Sequence, residues 1–440
     1  MDDSLKIECE WWGPSTGNRD VSQSCRGAIG ISVGEICLTR LEDSWGNTVR
    51  NRVHACASTL ASWFAANWWR LRWEPETPDS RNDVDWRMSH SIAAAGEGYC
   101  WPNILFASDG ASIAIASRAT RGRVFGPVRY LNDFYTRISG DAFERGIDDF
   151  LTLVLSRLHS QGSRNSELAQ LWAEVMIERG DPELARWRRL EAICGFDPTE
   201  APAELIQMLL DDKEHIGGKA LDEVAAQGRH STALVLQQIL ELANGKTKLA
   251  SGGYQARLPA LSKKFKCYNE ARPWRIATEL AQKARKEWNL EQQPITNKEL
   301  AKIMGAKPTL FTSNTKSPTS MPIALRTKTS DGFDLYINSP YSTNRRFVGC
   351  RMLGDHLYYI NDERLIPATT TKTSRQQFQR AFAQEFLCPY EALMEKIQTE
   401  KPDDDDIAEA AEYFGVSTRM IETTLLNKGA LDRETLDWVD

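Results

Sequence analysis

The sequence lacks the segments that would place it in a membrane or outside the cell. No run approaches the roughly 18 to 20 apolar residues of a membrane-spanning helix. The N-terminus, MDDSLKIECEWW, has acidic residues where a signal peptide has basic ones. The nine cysteines form no Cys-x-x-Cys pair, which argues against a disulfide framework and against a structural zinc site. We therefore expect a cytoplasmic protein with reduced thiols.

Signatures of common enzyme classes are absent as well. The sequence has no phosphate-binding loop of the Gly-x-x-x-x-Gly-Lys type and nothing that resembles a nucleophile elbow. Five of the six histidines lie in separate segments without the spacing of metal ligands: His54, His90, His159, His215 and His230. The formal net charge of −6 gives no overall attraction to nucleic acid. Any enzymatic chemistry would therefore have to lie in the C-terminal third.

The composition is that of a globular protein with more than one domain. Of the 440 residues, 41% are hydrophobic and 26% are charged, which suits two or three separate cores. The expected fold class is α+β with several domains. The predicted segments are a Trp-rich α+β domain at 1–135, a helical domain at 136–245, a basic linker at 246–272 and a final domain at 273–440.

The first segment holds nine of the fourteen tryptophans. Gly34-Glu35 and Asp109-Gly110 each divide a pair of β-branched runs, which predicts two hairpins. Apolar residues at helical spacing predict a helix over 53–71. We expect the tryptophan rings to form the core of this domain. The stretch Trp68–Trp73, which contains two arginines, is the alternative candidate for stacking on nucleic-acid bases.

The second segment is predicted to be helical. Apolar residues form an amphipathic stripe over 141–159. Asp197-Pro198-Thr199-Glu200 has the residues of a helix start, with an Asp cap, Pro at the first position and Glu at the third. Another long helix is predicted over 221–242, broken near Gly228.

Residues 246–272 are predicted to form a basic linker. From Lys246 to Lys286 there are eleven lysines and arginines and two glutamates, and aromatic residues are interleaved with them. Such a run contacts phosphates and bases in some proteins and is a solvated face in others. A nucleic-acid-binding regulator is therefore an alternative function. The candidate contacts are Lys263, Lys264, Lys266, Arg272 and Arg275.

The last segment carries an ordered set of motifs. A helix is predicted over 273–290, a capping box begins at Thr296, and a hairpin is predicted over 323–338 with Asp331-Gly332 near its turn. Arg345-Arg346-Phe347 then enters an apolar helix, and a second helix ends in FAQEFLCP. Over about 273–431, the order and spacing of these parts resemble the ImmA/IrrE family of zinc-dependent peptidases. The resemblance implies a zincin-like fold.

The same resemblance implies that the zinc chemistry has been lost. Such peptidases need two histidines four residues apart, a glutamate beside the first and a third ligand from another helix. Aligned on Arg345-Arg346-Phe347, Arg351 and Asp355 replace the histidines and Met352 replaces the glutamate. Phe378 lies near the third-ligand position. We expect no metal and no other cofactor, and an Arg351–Asp355 ion pair instead. The predicted pseudo-active-site groove comprises Arg351, Met352, Asp355, His356, Phe378 and Glu385.

The leading functional hypothesis is a non-catalytic regulatory protein whose groove holds an extended segment of a protein partner. The resembled family is associated with mobile elements, repressor cleavage and stress responses, which points to bacterial phage defence, toxin–antitoxin systems or mobile-element control. A zinc peptidase with a rearranged site that cleaves a repressor is the second alternative. The tail over 407–426 has the form of a helix-turn-helix. Its acidic residues repel phosphate, so we expect it to pack on the domain core.

Overall fold

The computed structural model forms two compact units. Unit 1 comprises Met1–Ile206 with Thr371–Thr373, and unit 2 comprises Gln207–Thr370 with Ser374–Asp440. Each mixes helices with small antiparallel sheets, so the prediction of a mixed helix and strand protein is confirmed. The residues that the structure describes are 4–13, 24–96, 98–122, 126–163, 166–212, 216–245, 253–262, 272–313, 316–327, 332–359, 363–399 and 402–431.

Unit 1 contains ten strands within its described residues. They are β1 (Leu5–Trp11), β2 (Arg26–Val33), β3 (Ile36–Cys37), β4 (Leu41–Asp43), β5 (Thr48–Arg50), β6 (Val53–Cys56), β7 (Ile104–Ser108), β8 (Ser112–Ser117), β9 (Val128–Tyr130) and β10 (Phe134–Ser139). The first sheet has the order β1-β2-β3, with β6 also paired to β2. The second has the order β5-β4-β9 and the third β10-β8-β7.

Both hairpins predicted for unit 1 are confirmed. β2 and β3 are joined through Gly34, which has a φ of 55°, and β7 and β8 are joined through Asp109 and Gly110, where Gly110 has a φ of 89°. Oδ1 of Asp109 accepts the backbone N–H of Ala111 at 3.0 Å and of Ser112 at 2.7 Å. Local turn chemistry was therefore sufficient to predict both pairings.

The helices of unit 1 follow the predicted amphipathic patterns in part. They are α1 (Ala57–Ala66), α2 (Trp68–Trp73), α3 (Val84–His90), a 3₁₀ turn (Ile92–Ala95), α4 (Gly140–Ser160), α5 (Glu167–Gly180), α6 (Pro182–Ile193) and α7 (Ala203–Asp211), which spans the division between the units. The helix predicted over 141–159 is confirmed as α4. The prediction of a helix over 53–71 is wrong at its start, because Val53–Cys56 pairs with β2 as a strand.

The predicted helix start at Asp197 is wrong. Thr199 has a φ of 72°, which no helix accommodates, and α7 begins only at Ala203. The carboxylate of Asp197, which the sequence predicted to cap a helix, instead lies 3.4 Å from the guanidinium of Arg70. A long-range ion pair therefore replaces the local cap.

Tryptophans do form much of the core of unit 1. Trp63, Trp68, Trp69, Trp86 and Trp101 are all buried. The two arginines between Trp68 and Trp73 are buried as well and engaged in ion pairs with carboxylates of the same unit. This stretch is therefore part of the core and does not present a basic stacking surface.

Unit 2 is built from helices around one four-stranded sheet. Its strands are β11 (Tyr254–Ala256), β12 (Ile323–Arg326), β13 (Phe333–Tyr336) and β14 (Leu365–Pro367), in the order β11-β13-β12-β14. Its helices are α8 (Gly218–Ala225), α9 (Thr232–Ala243), α10 (Pro273–Glu287), α11 (Asn297–Ile303), α12 (Thr309–Thr312), α13 (Ser342–Tyr358), α14 (Ser374–Leu387), α15 (Tyr390–Ile397), α16 (Asp404–Phe414) and α17 (Thr418–Lys428).

Several predictions for unit 2 are confirmed. The break near Gly228, which has a φ of 85°, separates α8 from α9. The capping box at Thr296 is present at the start of α11, and β12 and β13 form the predicted hairpin. Asp331, placed near its turn, lies outside the described residues. The tail helices α16 and α17 contribute Ile407, Phe414 and Leu425 to the core of the unit, as expected.

The two arginines that enter α13 are buried structural residues. Arg345 donates to the carbonyl oxygens of Leu310, Ile337 and Ser339 at 2.6, 2.9 and 3.1 Å. Arg346 donates to the carbonyl oxygen of Ile295 at 2.6 Å. The Arg-Arg-Phe motif therefore marks the start of α13 because its guanidinium groups satisfy backbone carbonyls from several segments.

The two units group the residues differently from the predicted segments. α4 packs on β1, and α8 packs on β14. Tyr254–Ala256, within the predicted linker, pairs with β13 and so forms part of the sheet of unit 2. None of the helices that the structure describes combines the length and apolar character needed to cross a membrane.

Gly354 allows α13 and α14 to approach each other closely. A Cβ at this position would lie 2.4 Å from Cγ and Cδ1 of the fully buried Phe382. We expect Gly354→Ala to lower the free energy of unfolding by about 2 kcal/mol, because overpacking outweighs the gain in helix propensity. Gly349→Ala on the same helix is the matched control, since the atoms nearest its Cβ would be Phe311 Cε1 at 3.2 Å and Met304 Sδ at 3.4 Å. Urea denaturation measures both, and equal stabilities would contradict the prediction.

Candidate functional site

The centre of the resemblance lies where α13 faces α14. The carboxylate of Asp355 on α13 accepts two hydrogen bonds from Arg375 on α14, from Nε to Oδ2 at 2.7 Å and from Nη2 to Oδ1 at 2.8 Å. Gln379, one turn further along α14, donates through Nε2 to Oδ2 at 2.7 Å. Asp355 is only 1% exposed. The site is therefore built on a buried, bidentate ion pair between two helices.

Arg351, one turn before Asp355, has different partners. Its Nη2 donates to the carbonyl oxygen of Thr369 at 2.6 Å and to Oε1 of Gln376. The same Oε1 accepts the backbone N–H of Thr369 at 2.9 Å. The predicted ion pair between Arg351 and Asp355 is therefore wrong. Asp355 pairs with Arg375 on the neighbouring helix because the guanidinium of Arg375 reaches both carboxylate oxygens at once.

Two hydrogen-bonded groups, Arg351 with Gln376 and Asp355 with Arg375 and Gln379, meet at the carbonyl oxygen of Pro367, and we call these five side chains the polar cluster. Each of them is buried. The two glutamines join it to the edge of the sheet, because Nε2 of Gln376 and Nε2 of Gln379 donate to the carbonyl oxygen of Pro367 at 3.1 and 2.9 Å. The groove expected at this position is thus filled by side chains.

A glutamate next to β14 links the polar cluster to α8. Oε2 of Glu363 accepts a hydrogen bond from Nη1 of Arg375 at 3.0 Å. Its Oε1 accepts the backbone N–H of Lys219 at 2.8 Å and of Ala220 at 3.3 Å, at the start of α8. These are N–H groups that a helix leaves without an intrahelical partner. Glu363 therefore serves as a cap for α8 and as a counter-ion for the cluster.

The charges of the cluster are perturbed by burial and by one another. Burial lowers the pKa of Arg351 to about 9, and the neighbouring charge of Arg380 acts in the same direction. Burial acts on Arg375 too, but the charge and hydrogen bonds of Asp355, together with the charge of Glu223, raise the pKa of Arg375 above its ordinary value. Arg375 therefore keeps its positive charge throughout the physiological pH range.

Phe378 does not face the polar cluster. Its ring packs against Tyr358 and Tyr359, with centroid distances of 4.6 and 5.8 Å. The residues of α14 that reach polar side chains of α13 are Arg375, Gln376 and Gln379. Phe378 therefore lies among aromatic side chains and not in the polar cluster.

The other residues predicted for the groove, Met352, His356 and Glu385, are not members of the polar cluster. Met352 is fully buried in the apolar core. The ring of His356 packs on Phe333 at 5.2 Å, and burial, followed by the charge of Arg326, lowers the pKa of His356 to about 4. Glu385 accepts from Nε2 of Gln282 at 2.8 Å on the opposite, α10 side of α14. The structure does not bring these three residues together.

Sequence reasoning missed Arg375, Gln376, Gln379 and Glu223 as members of the site. Arg375 and Gln379 are spaced i, i+4 on a helix, which places both on one face. Polar residues at that spacing on the face of α14 that packs on α13 are the available signal. Glu223 lies 132 residues before Asp355 in the chain, and no local pattern connects it to this site.

The side chains at this position do not offer zinc a ligand set. Zinc in proteins is held by thiolate, imidazole or carboxylate groups. The cluster supplies one such group, Asp355, and both of its oxygens already accept hydrogen bonds. The guanidinium groups of Arg351 and Arg375 would also repel a dication. Within the described ranges, no three His, Cys, Asp or Glu side chains are arranged to hold a metal ion.

The candidate nucleic-acid contacts are only partly visible. Lys263, Lys264 and Lys266 lie outside the described residues. Arg272 and Arg275 are both exposed at the start of α10. Their exposure is compatible with a solvated helix end as well as with phosphate contact.

A cleft in unit 1 lies over the sheet of β1, β2 and β6 and has a volume of about 560 Å³. Arg52 spans part of it and pairs with Glu8 at 3.4 Å and also with Glu10. His54 on β6 accepts from Nη1 of Arg50 at 2.9 Å. The charged groups that line this cleft are therefore largely paired with each other.

The polar cluster thus lies between α13 and α14 in the helical part of unit 2. Residues 355–426 match the family model described as the IrrE N-terminal-like domain, Peptidase_M78. The C-terminal region of this chain therefore carries a domain of the ImmA/IrrE family, as the sequence motifs predicted. The match runs from Asp355 through α14 to the tail helices. No curated protein and no solved structure matches the chain.

Proposed function

We propose that this protein is a non-catalytic regulator whose ImmA/IrrE-like domain recognises a protein partner without cutting it. The family resemblance supports a cytoplasmic role in bacterial phage defence, toxin–antitoxin systems or mobile-element control. Such systems depend on recognition of repressor or toxin proteins. A domain that keeps the fold used for recognition but lacks the catalytic residues acts by binding its partner.

The polar cluster is the observation that carries this proposal. A zinc peptidase needs an activated water beside a general base. Aligned with the family on Arg345-Arg346-Phe347, Met352, a thioether that cannot accept a proton, takes the position of the base. Asp355 is occupied by Arg375 and Gln379, at distances of 2.7 and 2.8 Å. These side chains are better suited to stabilising the contact between α13 and α14 than to hydrolysis.

Metal analysis of the purified full-length protein tests the proposal. We expect well under one zinc per chain after purification with added zinc, because the only carboxylate of the cluster is paired. We also expect candidate repressor proteins to remain intact during incubation, with or without a chelator. Elemental analysis by mass spectrometry and gel electrophoresis provide the two measurements.

The contrary outcome has a clear form. One zinc per chain that is lost in Asp355→Asn, together with cleavage that a chelator abolishes, would replace this proposal with a rearranged metallopeptidase. Asp405→Asn, at the exposed start of α16, is the matched control for the change of charge. Zinc retained equally by both variants would indicate adventitious binding elsewhere.

A further inference from the structure

The cleft in unit 1 has the size of a small-molecule site. Its volume of about 560 Å³ lies within the range of roughly 300–1,000 Å³ that such sites occupy. Ala28, Gly30 and Ser32, at alternate positions of β2, form its floor. Gly30 leaves space there, because a Cβ at this position would lie 3.3 Å from Cγ of Arg52. The small floor residues therefore create the depth of the cleft between the longer side chains beside it.

The charged side chains that line the cleft balance one another. They are Glu8 and Glu10 on β1 and Arg50 and Arg52 on the opposite side. Arg52 pairs with Glu8 at 3.4 Å and also with Glu10, and Arg50 pairs with Asp43 at 3.0 Å. A ligand with a net charge would meet like and opposite charges in equal number. The cleft therefore favours a ligand without net charge.

The polar groups that remain available in the cleft are uncharged. Among the residues that the structure describes, the hydroxyl of Ser32 and the side-chain amide of Asn51 have no hydrogen-bond partner in the protein. The imidazole of His54 is neutral at physiological pH, because burial, followed by the charge of Arg50, lowers the pKa of His54. Hydroxyl, amide and neutral imidazole groups each both donate and accept hydrogen bonds. Hydroxyl groups of a ligand match them, since these also do both.

An aromatic ring lies beside the cleft. Trp12 is 46% exposed, and its ring meets the ring of His54 edge to face at a centroid distance of 5.2 Å. An exposed indole offers an apolar surface next to a polar one. This combination suits a ligand that has C–H groups on one face and hydroxyl groups around its rim.

We propose that the cleft binds a neutral polyhydroxylated ligand, a sugar of one or two rings. Its hydroxyl groups hydrogen-bond to Ser32 and Asn51, and its C–H face packs against Trp12. Because the ligand has no charge, the ion pairs of the cleft stay intact. The inference concerns unit 1 and does not depend on the proposed function of the ImmA/IrrE-like domain.

Saturation-transfer difference NMR on the full-length protein tests the inference. The probes are glucose, N-acetylglucosamine and maltose, and succinate and putrescine serve as charged comparators. We expect saturation transfer to at least one of the sugars and to neither comparator.

Two variants locate the binding. Gly30→Val fills the floor with a side chain that suits a strand, and Asn51→Leu removes the amide at an exposed position. Each should weaken binding of the sugar at least about tenfold. Thr48→Val, at an exposed position of β5 that does not line the cleft, is the matched control and should leave the affinity unchanged.

The contrary results are distinct. Absence of saturation transfer to all three sugars overturns the inference, and so does binding of a charged comparator in their place. Sugar binding that Gly30→Val and Asn51→Leu both leave unchanged would lie elsewhere and contradicts it too. Circular dichroism checks the fold, and if Gly30→Val disturbs the sheet, the affinity of Asn51→Leu decides alone. Zinc content and proteolysis bear on the proposed function and leave this result unaffected.

Discussion

Arg375→Met is expected to lower the free energy of unfolding of the protein by about 3–5 kcal/mol. The substitution roughly keeps the length of the side chain but removes both guanidinium hydrogen bonds from the carboxylate of Asp355, which is 1% exposed and keeps the hydrogen bond from Gln379. An uncompensated buried carboxylate is costly because the protein interior solvates charge poorly. Urea denaturation followed by tryptophan fluorescence and by circular dichroism measures the change.

Two further variants give this prediction its controls. Arg375→Met combined with Asp355→Leu removes both charges and should recover most of the lost stability, since replacing a buried ion pair with apolar side chains is often neutral. Arg275→Met, on an exposed face of α10, should change the stability by less than about 0.5 kcal/mol. If Arg375→Met and Arg275→Met were equally stable, the ion pair would have no structural role.

Arg345→Met should destabilise the protein by about 3 kcal/mol or more. Arg345 is fully buried and donates to the carbonyl oxygens of Leu310, Ile337 and Ser339. Methionine fits the space but leaves three buried carbonyl groups without this donor, each at a cost of about 1–3 kcal/mol before relaxation. The midpoint of thermal unfolding and the urea midpoint should both fall.

Arg345→Lys distinguishes the hydrogen bonds from the charge. Lysine keeps the positive charge but cannot reproduce the planar fork that reaches carbonyls on several segments. We expect an intermediate stability for Arg345→Lys, and a lysine variant as stable as the parent would show that charge alone suffices. The lysine and methionine variants at one position share the same surroundings, so each serves as the other's control.

Local features of the fold were predictable because they depend on neighbouring residues. The capping box at Thr296, the turn at Asp109-Gly110 and the break at Gly228 all rest on conformations that a few residues determine. The order of the motifs from Arg345 to Pro389 was also readable, since helix period and capping are sequence-local. The motifs from Arg345 to Pro389 therefore indicate an ImmA/IrrE-like domain from the sequence alone.

Errors arose where distant residues compete with a local pattern. Arg351 and Asp355 have the spacing of a helical ion pair, yet Arg375, 20 residues further along, takes the carboxylate. The segment 53–56 follows helical spacing but pairs with β2. Asp197, predicted to cap a helix, pairs with Arg70 instead. In each case the tertiary partner supplies more hydrogen bonds or burial than the local alternative.

The strand β11 has a consequence for dividing the chain into fragments. Because Tyr254–Ala256 is hydrogen-bonded to β13, a fragment that began at Pro273 would convert β13 into an open edge. It would also remove α8, which packs on β14. A fragment that starts after Ile206, at the division between the units, keeps all four strands and α8. This division lies well before residue 273, where the resemblance to the family begins.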